Sequence, residues 1–378
     1  MECENIVIKS KKIKIYPSYD QKLILRKWFG ASRLVYNKTI EHLNNKEIKA
    51  DWIKIKLWLL KTLPEWCKEV PFQVKGIAVK DACVAVKNAK IKYKKTGIFN
   101  KVKFKSIKNI SESIFITKSA IKKDGIYSTI LGKLNYSEPL PENILDSRLV
   151  FQNGQYFICI NYSTNKSNVN NCNNRVVSLD PGVRTFQTFF SENSCGKIGL
   201  YSINKIQRLC YYLDDFVGRT SKTKGKKKRR MKKAIANMRV KIKNLISELH
   251  NKTIKFLFDN FDIVLLPTFE TSNMVKRGKR KIRSKTARQM LTLSHYRFKE
   301  RIINKAKELN KIVIIVNEVY TSKTVSWSGE IKNIGSSKII KSQGVIMDRD
   351  YNGARGIMLR ALVDTPTKEI LLQNVCIS

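Results

Sequence analysis

A chain of 378 residues with 42% hydrophobic content is globular, long enough for two or three domains and apolar enough for a sizeable core. Its 74 Lys and Arg face 30 Asp and Glu, a formal net charge of +44, which points to a polyanionic partner, nucleic acid ahead of an anionic membrane. No run approaches the roughly 18 apolar residues of a spanning helix, and the opening MECENIVIKSKK lacks the apolar stretch of a secretory signal, so a membrane role is not expected.

In chain order, residues 6–16 alternate apolar and basic side chains and predict a strand, stopped by Pro17 and Asp20. A helix is expected over 21–44, with Leu23, Ile24, Trp28, Phe29, Leu34, Val35 and Tyr36 at helical spacing and Gly30 as a candidate break. Helices follow over about 50–62 and 72–95. The second ends in a basic tract containing Lys94 and Lys95, continued by Lys101, Lys103, Lys105 and Lys108 and interleaved with Tyr93, Phe99 and Phe104. Lysines bind phosphates and aromatic rings stack on bases, so this tract is a candidate nucleic-acid contact; a solvated charged face is the plainer alternative.

Residues 110–165 change to short β-like runs, SIFIT, STIL, RLVF and YFICINY, and predict a small β-barrel that shares the first strand. Residues 1–20 and 110–165 then form the barrel domain, 21–109 an inserted helical domain, and the Asn-rich 166–174 a linker. From 175 the pattern is mixed α/β, with strands at Val176 to Leu179, Thr185 to Phe190 and about 198–202, then a helix from near Asn204. Arg219 to Lys233 holds ten Lys or Arg and no acid, including Lys226, Lys227, Lys228, Arg229 and Arg230. Such a run stays in solvent as a loop or helix end, placed on phosphates, read as a nuclear import signal at 224–233, or merely solubilising. A long amphipathic helix follows, then the buried strand DIVLL at 262–266. A second basic run, Lys276 to Arg288, contains Lys279, Arg280, Lys281 and Arg288. One helix over about 285–309 precedes the strand KIVIIV, and an irregular stretch leads to a final helix near Asn352.

Three carboxylates sit alike in this pattern. Asp180 ends a strand, Glu270 follows one, and Asp350 precedes a helix. If the strands share a sheet, the three converge at one edge, where like charges repel unless cations sit among them. Hard divalent ions with oxygen ligands answer that need, and a pair about 4 Å apart suits phosphodiester hydrolysis. Asn352 and Arg355 would support the carboxylates or a phosphate, or else serve the start of the helix. His295 reads as a packed structural histidine, with nucleic-acid contact as the alternative.

The segments DPGVRTF at 180–186, LLPTFETSNM at 265–274, SKTARQML with SHYRF across 284–298, and DRDYNGARGI at 348–357 resemble the motifs of the TnpB/Fanzor family of transposon-encoded proteins. Residues 16–41 resemble that family's N-terminal region. The resemblance covers most of the chain in family order. It implies an RNA-guided DNA endonuclease with an RNase H-like (RuvC) α/β nuclease domain, here 175–319 and 348–365, preceded by a β-barrel with an inserted helical recognition domain. It further implies Asp180, Glu270 and Asp350 as catalytic ligands of two Mg²⁺ ions, with Asp350 preferred to Asp348. A guide RNA and a double-stranded DNA target would be the partners, in cytoplasm or nucleus. The sequence departs from the family in one place. Cys3, Cys67, Cys83, Cys159, Cys172, Cys195, Cys210 and Cys376 include no C-x-x-C pair. Val325 and Ser328, and the neighbourhood of Ser342 and Gly344, stand where the family carries its zinc-ribbon cysteines. Residues 320–347 are therefore a degenerate ribbon in which zinc is not expected, followed by a tail at 366–378. A guided binder that no longer cuts, and a basic architectural protein with no guide, are the competing functions.

Overall fold

In the computed structural model, residues 6–44, 48–109, 111–165, 175–278, 280–317, 321, 323–332 and 337–363 are described. The expected linker at 166–174, the tail at 366–378 and Lys279 lie outside them. The chain divides into two units, 1–165 and 166–378.

In the first unit the alternating run forms β1 (Ile6–Ile15), whose inner residues Ile13 and Ile15 are buried. α1 (Tyr19–Leu43) begins with a reciprocal cap: Ser18 Oγ accepts from the Gln21 amide, and Gln21 Oε1 accepts from the Ser18 amide. It runs unbroken through Gly30, which packs beside the Trp66 ring. Asp51 caps α2 (Trp52–Leu59). α3 (Phe72–Thr96) starts after Pro71 and stops at Gly97, whose φ of 66° is a left-handed helix end that glycine adopts without steric cost. The strands β2 (Ser111–Ile116), β3 (Ile121–Lys122) and β4 (Gly125–Ile126) follow. STIL, expected as a strand, is instead the one-turn helix α4 (Ser128–Leu131), bracketed by Tyr127 at φ 48° and Gly132 at φ 64°. Last come β5 (Ser147–Gln152) and β6 (Gln155–Asn165).

The four long strands form an antiparallel sheet in the order β1-β6-β5-β2. This corrects the expected barrel, because β1 and β2 are opposite edges and do not pair. The reason lies in what covers the inner face. Trp28 and Phe29 of α1 join Ile13, Ile114, Ile116, Leu149 and Ile158 in one core, so a helix buries the apolar face that closure would otherwise bury.

The second unit opens on a meander, β7 (Val176–Pro181), β8 (Gln187–Ser191) and β9 (Cys195–Ile198). Two long helices follow, α5 (Leu200–Ser221) and α6 (Gly225–Asn260), then β10 (Ile263–Pro267), the short α7 (Thr271–Met274), α8 (Ser284–Leu293) and α9 (His295–Leu309). The single helix expected over 285–309 is broken at Ser294, which adopts φ 54°. β11 (Ile312–Val316) comes next, then the hairpin β12 (Ile339–Ser342) and β13 (Val345–Asp348), and finally α10 (Arg349–Val363). The hairpin falls in the stretch expected to be irregular. Its turn residues Gln343 and Gly344 have φ of 50° and 76°, the two-residue turn that matches strand twist.

The central sheet runs β11-β10-β7-β8-β9, with β10 parallel to both β7 and β11. Every residue of β10 is buried, as a strand covered on both faces must be. Val177, Leu179, Val264 and Leu266 face α5, α6 and α9, while Ile263, Leu265, Ile314 and Val316 face Ile357 and Ala361 of α10. Asp262, at the foot of β10, is buried between Lys311 and Arg175. Burial raises its carboxyl, but bonds from the lysine and arginine outweigh this and hold it below the usual carboxylate range. Among the described residues no helix is long and apolar enough to cross a membrane.

Candidate functional site

The period of β7 decides where Asp180 points. Ser178 and Asp180 lie two apart and so share the face that α10 covers. Ser178 Oγ donates to the Ala354 carbonyl at 2.7 Å, pinning the helix to the strand. A Cβ built on Gly353 would fall 2.6 Å from Asp180 Oδ2, so the α10 backbone abuts the half-buried carboxylate. Asp350 lies three residues before Gly353, one helical turn away on the same side. The end of β7 thus packs against α10 at Gly353, about one turn after Asp350.

A cation is already present there. Lys197 of β9 reaches Asp348 at 2.7 Å and Asp350 at 3.5 Å, with its ammonium over the Tyr351 ring. Burial opposes the lysine's charge, but the two carboxylates prevail and hold its pKa above the ordinary value. Asp348 shows the complementary effect. Burial raises its carboxyl, while Lys197 and the amides of Asp350 and Tyr351 lower it further than burial raises it. Lys197 is absent from the sequence reading, because a lone lysine in a short strand carries no spacing signal.

Glu270 is placed differently. It is exposed past the end of β10, and its carboxylate accepts a hydrogen bond from Asn273 Nδ2 of α7. Phe269 before it adopts φ 27°, a strained backbone for a bulky residue. Glu270 lines a cleft of about 330 Å³ together with Pro181, Gln187, Phe269, His295 and Lys299. Among the described residues no three His, Cys, Asp or Glu side chains stand as a metal-binding group. The donor set, all carboxylate oxygen, nevertheless has the chemistry of a hard divalent cation.

The segment aligned with the ribbon is built from other contacts. Val325 is fully buried, and its amide donates to the Glu330 carbonyl at 2.8 Å. Ser342 Oγ donates to Glu330 at 2.8 Å, and Trp327 Nε1 donates to the Ser342 carbonyl at 3.1 Å. Asn352, fully buried, joins this knuckle to α10: its Oδ1 accepts from the Ser326 amide at 2.8 Å and its Nδ2 donates to the Thr324 carbonyl at 2.9 Å. Arg355 adds a bond to Ser326 Oγ at 3.1 Å. Both residues thus hold the knuckle, two and five positions beyond Asp350. Asn352→Ala would strand a buried donor and acceptor and cost about 2–4 kcal/mol. The expected result is faster amide exchange across 323–332 in the variant, whereas a zinc chelator leaves exchange in the parent chain unchanged.

The basic candidates are dispersed. Lys94 and Lys95 are exposed in the last turn of α3, while Lys105 turns inward over the Tyr36 ring at 4.0 Å, between bonds to Asn37. Lys226, Lys227, Lys228, Arg229 and Arg230 form the first turns of α6. Arg280 bonds Ser284 at the start of α8, Lys281 is exposed beside it, and Arg288 pairs with Asp214 of α5 at 2.7 Å. Sequence reasoning missed a cleft of about 250 Å³ where Arg239 and Lys243 of α6 meet Arg288 and Arg297, with Thr292 and Ser294 between them. Arg288 was a candidate from its basic run, but nothing in the sequence joined it to Arg239 and Lys243 of α6.

The family model described as "Cas12f1-like, TNB domain" matches residues 295–357, which hold α9, the knuckle and Asp350, and a "Helix-turn-helix domain" model matches residues 1–47. TnpB-like protein L79 of Acanthamoeba polyphaga mimivirus is 27% identical, over 93% of this chain and 73% of its own. InsQ of Escherichia coli (strain K12), named as a proposed RNA-guided DNA endonuclease, is 24% identical over 92% of this chain and 90% of its own. The protein in a Cas12f1–sgRNA–target DNA complex shares the fold with a TM-score of 0.51 at 12% identity, covering 93% of this chain and 99% of that one. These matches run through both units, and they support kinship with the TnpB family.

Proposed function

We propose that the protein is an RNA-guided DNA endonuclease that hydrolyses phosphodiester bonds with an RNase H-like carboxylate site. The observation that carries this reading is the packing of Asp180 against α10 at Gly353, about one turn beyond Asp350. Divalent cations, Mg²⁺ in the cell, would be held by Asp180, Asp350 and Glu270, and would supply Lewis-acid activation and charge neutralisation at the scissile phosphate. Glu270 joins the other two when it leaves Asn273. The guide RNA and the double-stranded target lie along the basic surfaces, the α6 tip and the Arg239–Arg297 cleft among them, so that base pairing supplies most of the sequence specificity. In this reading 21–109 is the recognition domain, and 175–319 with 348–365 the nuclease domain.

A second reading, a guided binder that does not cut, is favoured by the lysine seated on Asp350 and by the outward turn of Glu270. One experiment separates them. The protein is purified from cells that carry its native flanking DNA, and the bound RNA is sequenced. That RNA then programs a Mg²⁺-dependent assay on a plasmid library with randomised flanks. Guided cuts at a defined flank support the nuclease. A discrete RNA with guided binding and no cuts supports the binder, and absence of any discrete RNA overturns both.

A further inference from the structure

The cleft beside Glu270 holds polar groups that the fold itself does not use. Gln187 is 1% exposed and its Oε1 has no hydrogen-bond partner; His295 is 5% exposed, and its ring nitrogens have no hydrogen bond of good geometry, with the Gly182 backbone the polar group that bears on the ring. Both line the cleft. A buried polar atom left without a partner costs about 1–3 kcal/mol. Both positions could have been apolar: the His295 ring is flanked by Phe186 at 5.3 Å and Phe269 at 5.1 Å, surroundings that suit phenylalanine equally well.

The chemistry of these groups restricts what completes them. Gln187 Oε1 accepts only. Burial, reinforced by the nearby His250, pushes His295 down to about 4, so at neutral pH its ring offers one donor and one acceptor. The hydroxyls of Thr268, Thr271 and Ser272 also line the cleft, and Lys299 is the one cation among its lining residues. This is a site for a neutral, planar, polar group rather than a phosphate. Its volume of about 330 Å³ lies at the small end for ligand pockets and suits one nucleoside.

We propose that this cleft binds one unpaired nucleoside of the DNA strand to be cut, beside the scissile phosphate, and prefers a base presenting an amino donor next to a ring-nitrogen acceptor, as adenine and cytosine do. The proposal rests on the endonuclease reading of Glu270. Gln187 Oε1 accepts from the exocyclic amino group, and His295 donates to the ring nitrogen. Extrusion of a base into such a pocket is a known way for proteins to hold single strands at a reacting position.

The test uses the full chain in EDTA and fluorescence anisotropy with labelled eight-nucleotide deoxyribose oligomers. These are abasic throughout, or carry one adenine or one thymine at the centre. The expected result is that adenine strengthens binding about tenfold over the abasic oligomer and thymine adds little. Gln187→Leu and His295→Phe each cut the adenine gain by about fivefold and leave abasic binding unchanged, the loss expected for one hydrogen bond. Both variants melt at or above the parent temperature, because each removes an unpartnered buried group. A ribose version of the adenine oligomer that binds tighter than the deoxyribose one would assign the cleft to the guide and overturn the proposal. Equal binding of adenine and thymine, an undiminished adenine gain in both variants, or a clear fall in their melting temperature would each overturn it as well. If no oligomer binds at all, the nucleic-acid reading fails together with it; if the abasic oligomer binds and the base adds nothing, the cleft proposal fails alone.

Discussion

Asp180→Ala is expected to lower Mg²⁺-dependent cleavage by at least about 10³-fold while the protein still folds and still retains its RNA. The size follows from the role. A carboxylate that holds the cation at the scissile phosphate controls several kcal/mol of charge stabilisation, and each ~1.4 kcal/mol is a factor of ten. The variant should fold because Asp180 stands at a half-buried strand end while the core of its face is made by Ile263, Leu265, Ile357 and Ala361. Comparison with its neighbours sharpens the test. Asp350→Ala should match Asp180→Ala, whereas Asp348→Asn, which touches Lys197 more closely than anything else, should cost no more than about tenfold. If Asp348→Asn proves as damaging as Asp180→Ala and Asp350→Ala proves mild, then the third carboxylate is Asp348. Single-turnover cleavage rates of the RNA-loaded protein give the answer.

Acid is expected to unfold the second unit well above the range where carboxylates titrate. His250 and His295 both stack on Phe186, at ring distances of 5.0 and 5.3 Å. Burial drives both imidazoles down from 6.5 to about 4, and the proximity of the two rings adds to the effect at His295. The unfolded chain takes up these protons near pH 6.5, whereas the folded chain resists until about pH 4. Stability is thus complete above pH 6.5 and falls as pH drops between those values, because the unfolded state binds more protons there. Each histidine accounts for about 3 kcal/mol of that loss at its full extent, the two together for something on the order of 5 kcal/mol. Urea titrations at pH 7, 6, 5 and 4.5 measure it. His295→Phe should remove about half of the slope between pH 6.5 and 4.5. A flat parent profile over that range would mean that both rings protonate freely in the native state.

Much of this architecture was legible in the residues. KIVIIV, DIVLL and VVSL announced buried strands because their residues are almost all apolar, and the helical spacing of Leu23, Trp28, Phe29 and Val35 announced the first helix. The closed barrel was misread because alternation along a strand shows that one face is buried but not what buries it; in the first unit that is α1. The break at Ser294 was invisible because the left-handed conformation falls on a serine, where glycine or asparagine would have signalled it. Of the candidate site, Asp180 and Asp350 were legible from strand-end and helix-start positions. The outward turn of Glu270, the lysine on Asp348 and the cleft at Gln187 were not, since each depends on side chains brought together across the sheet. Asn352 and Arg355 were read as supports for the carboxylates or a phosphate, or as helix-start residues; their bonds run instead to Thr324 and Ser326 of the knuckle.

The docking of α10 on β7 has a consequence for the making of the protein. Asp350 leaves the ribosome 170 residues after Asp180, a delay of roughly 10–30 s at 5–20 residues per second. For that interval the sheet is without its last helix, and the apolar face of Ile263, Leu265 and, later, Ile314 and Val316 is bare. The nascent chain carries a sticky surface and an incomplete set of carboxylates at once. On the proposed endonuclease reading, the order of synthesis keeps the site incomplete until the helix that covers that face also delivers Asp350.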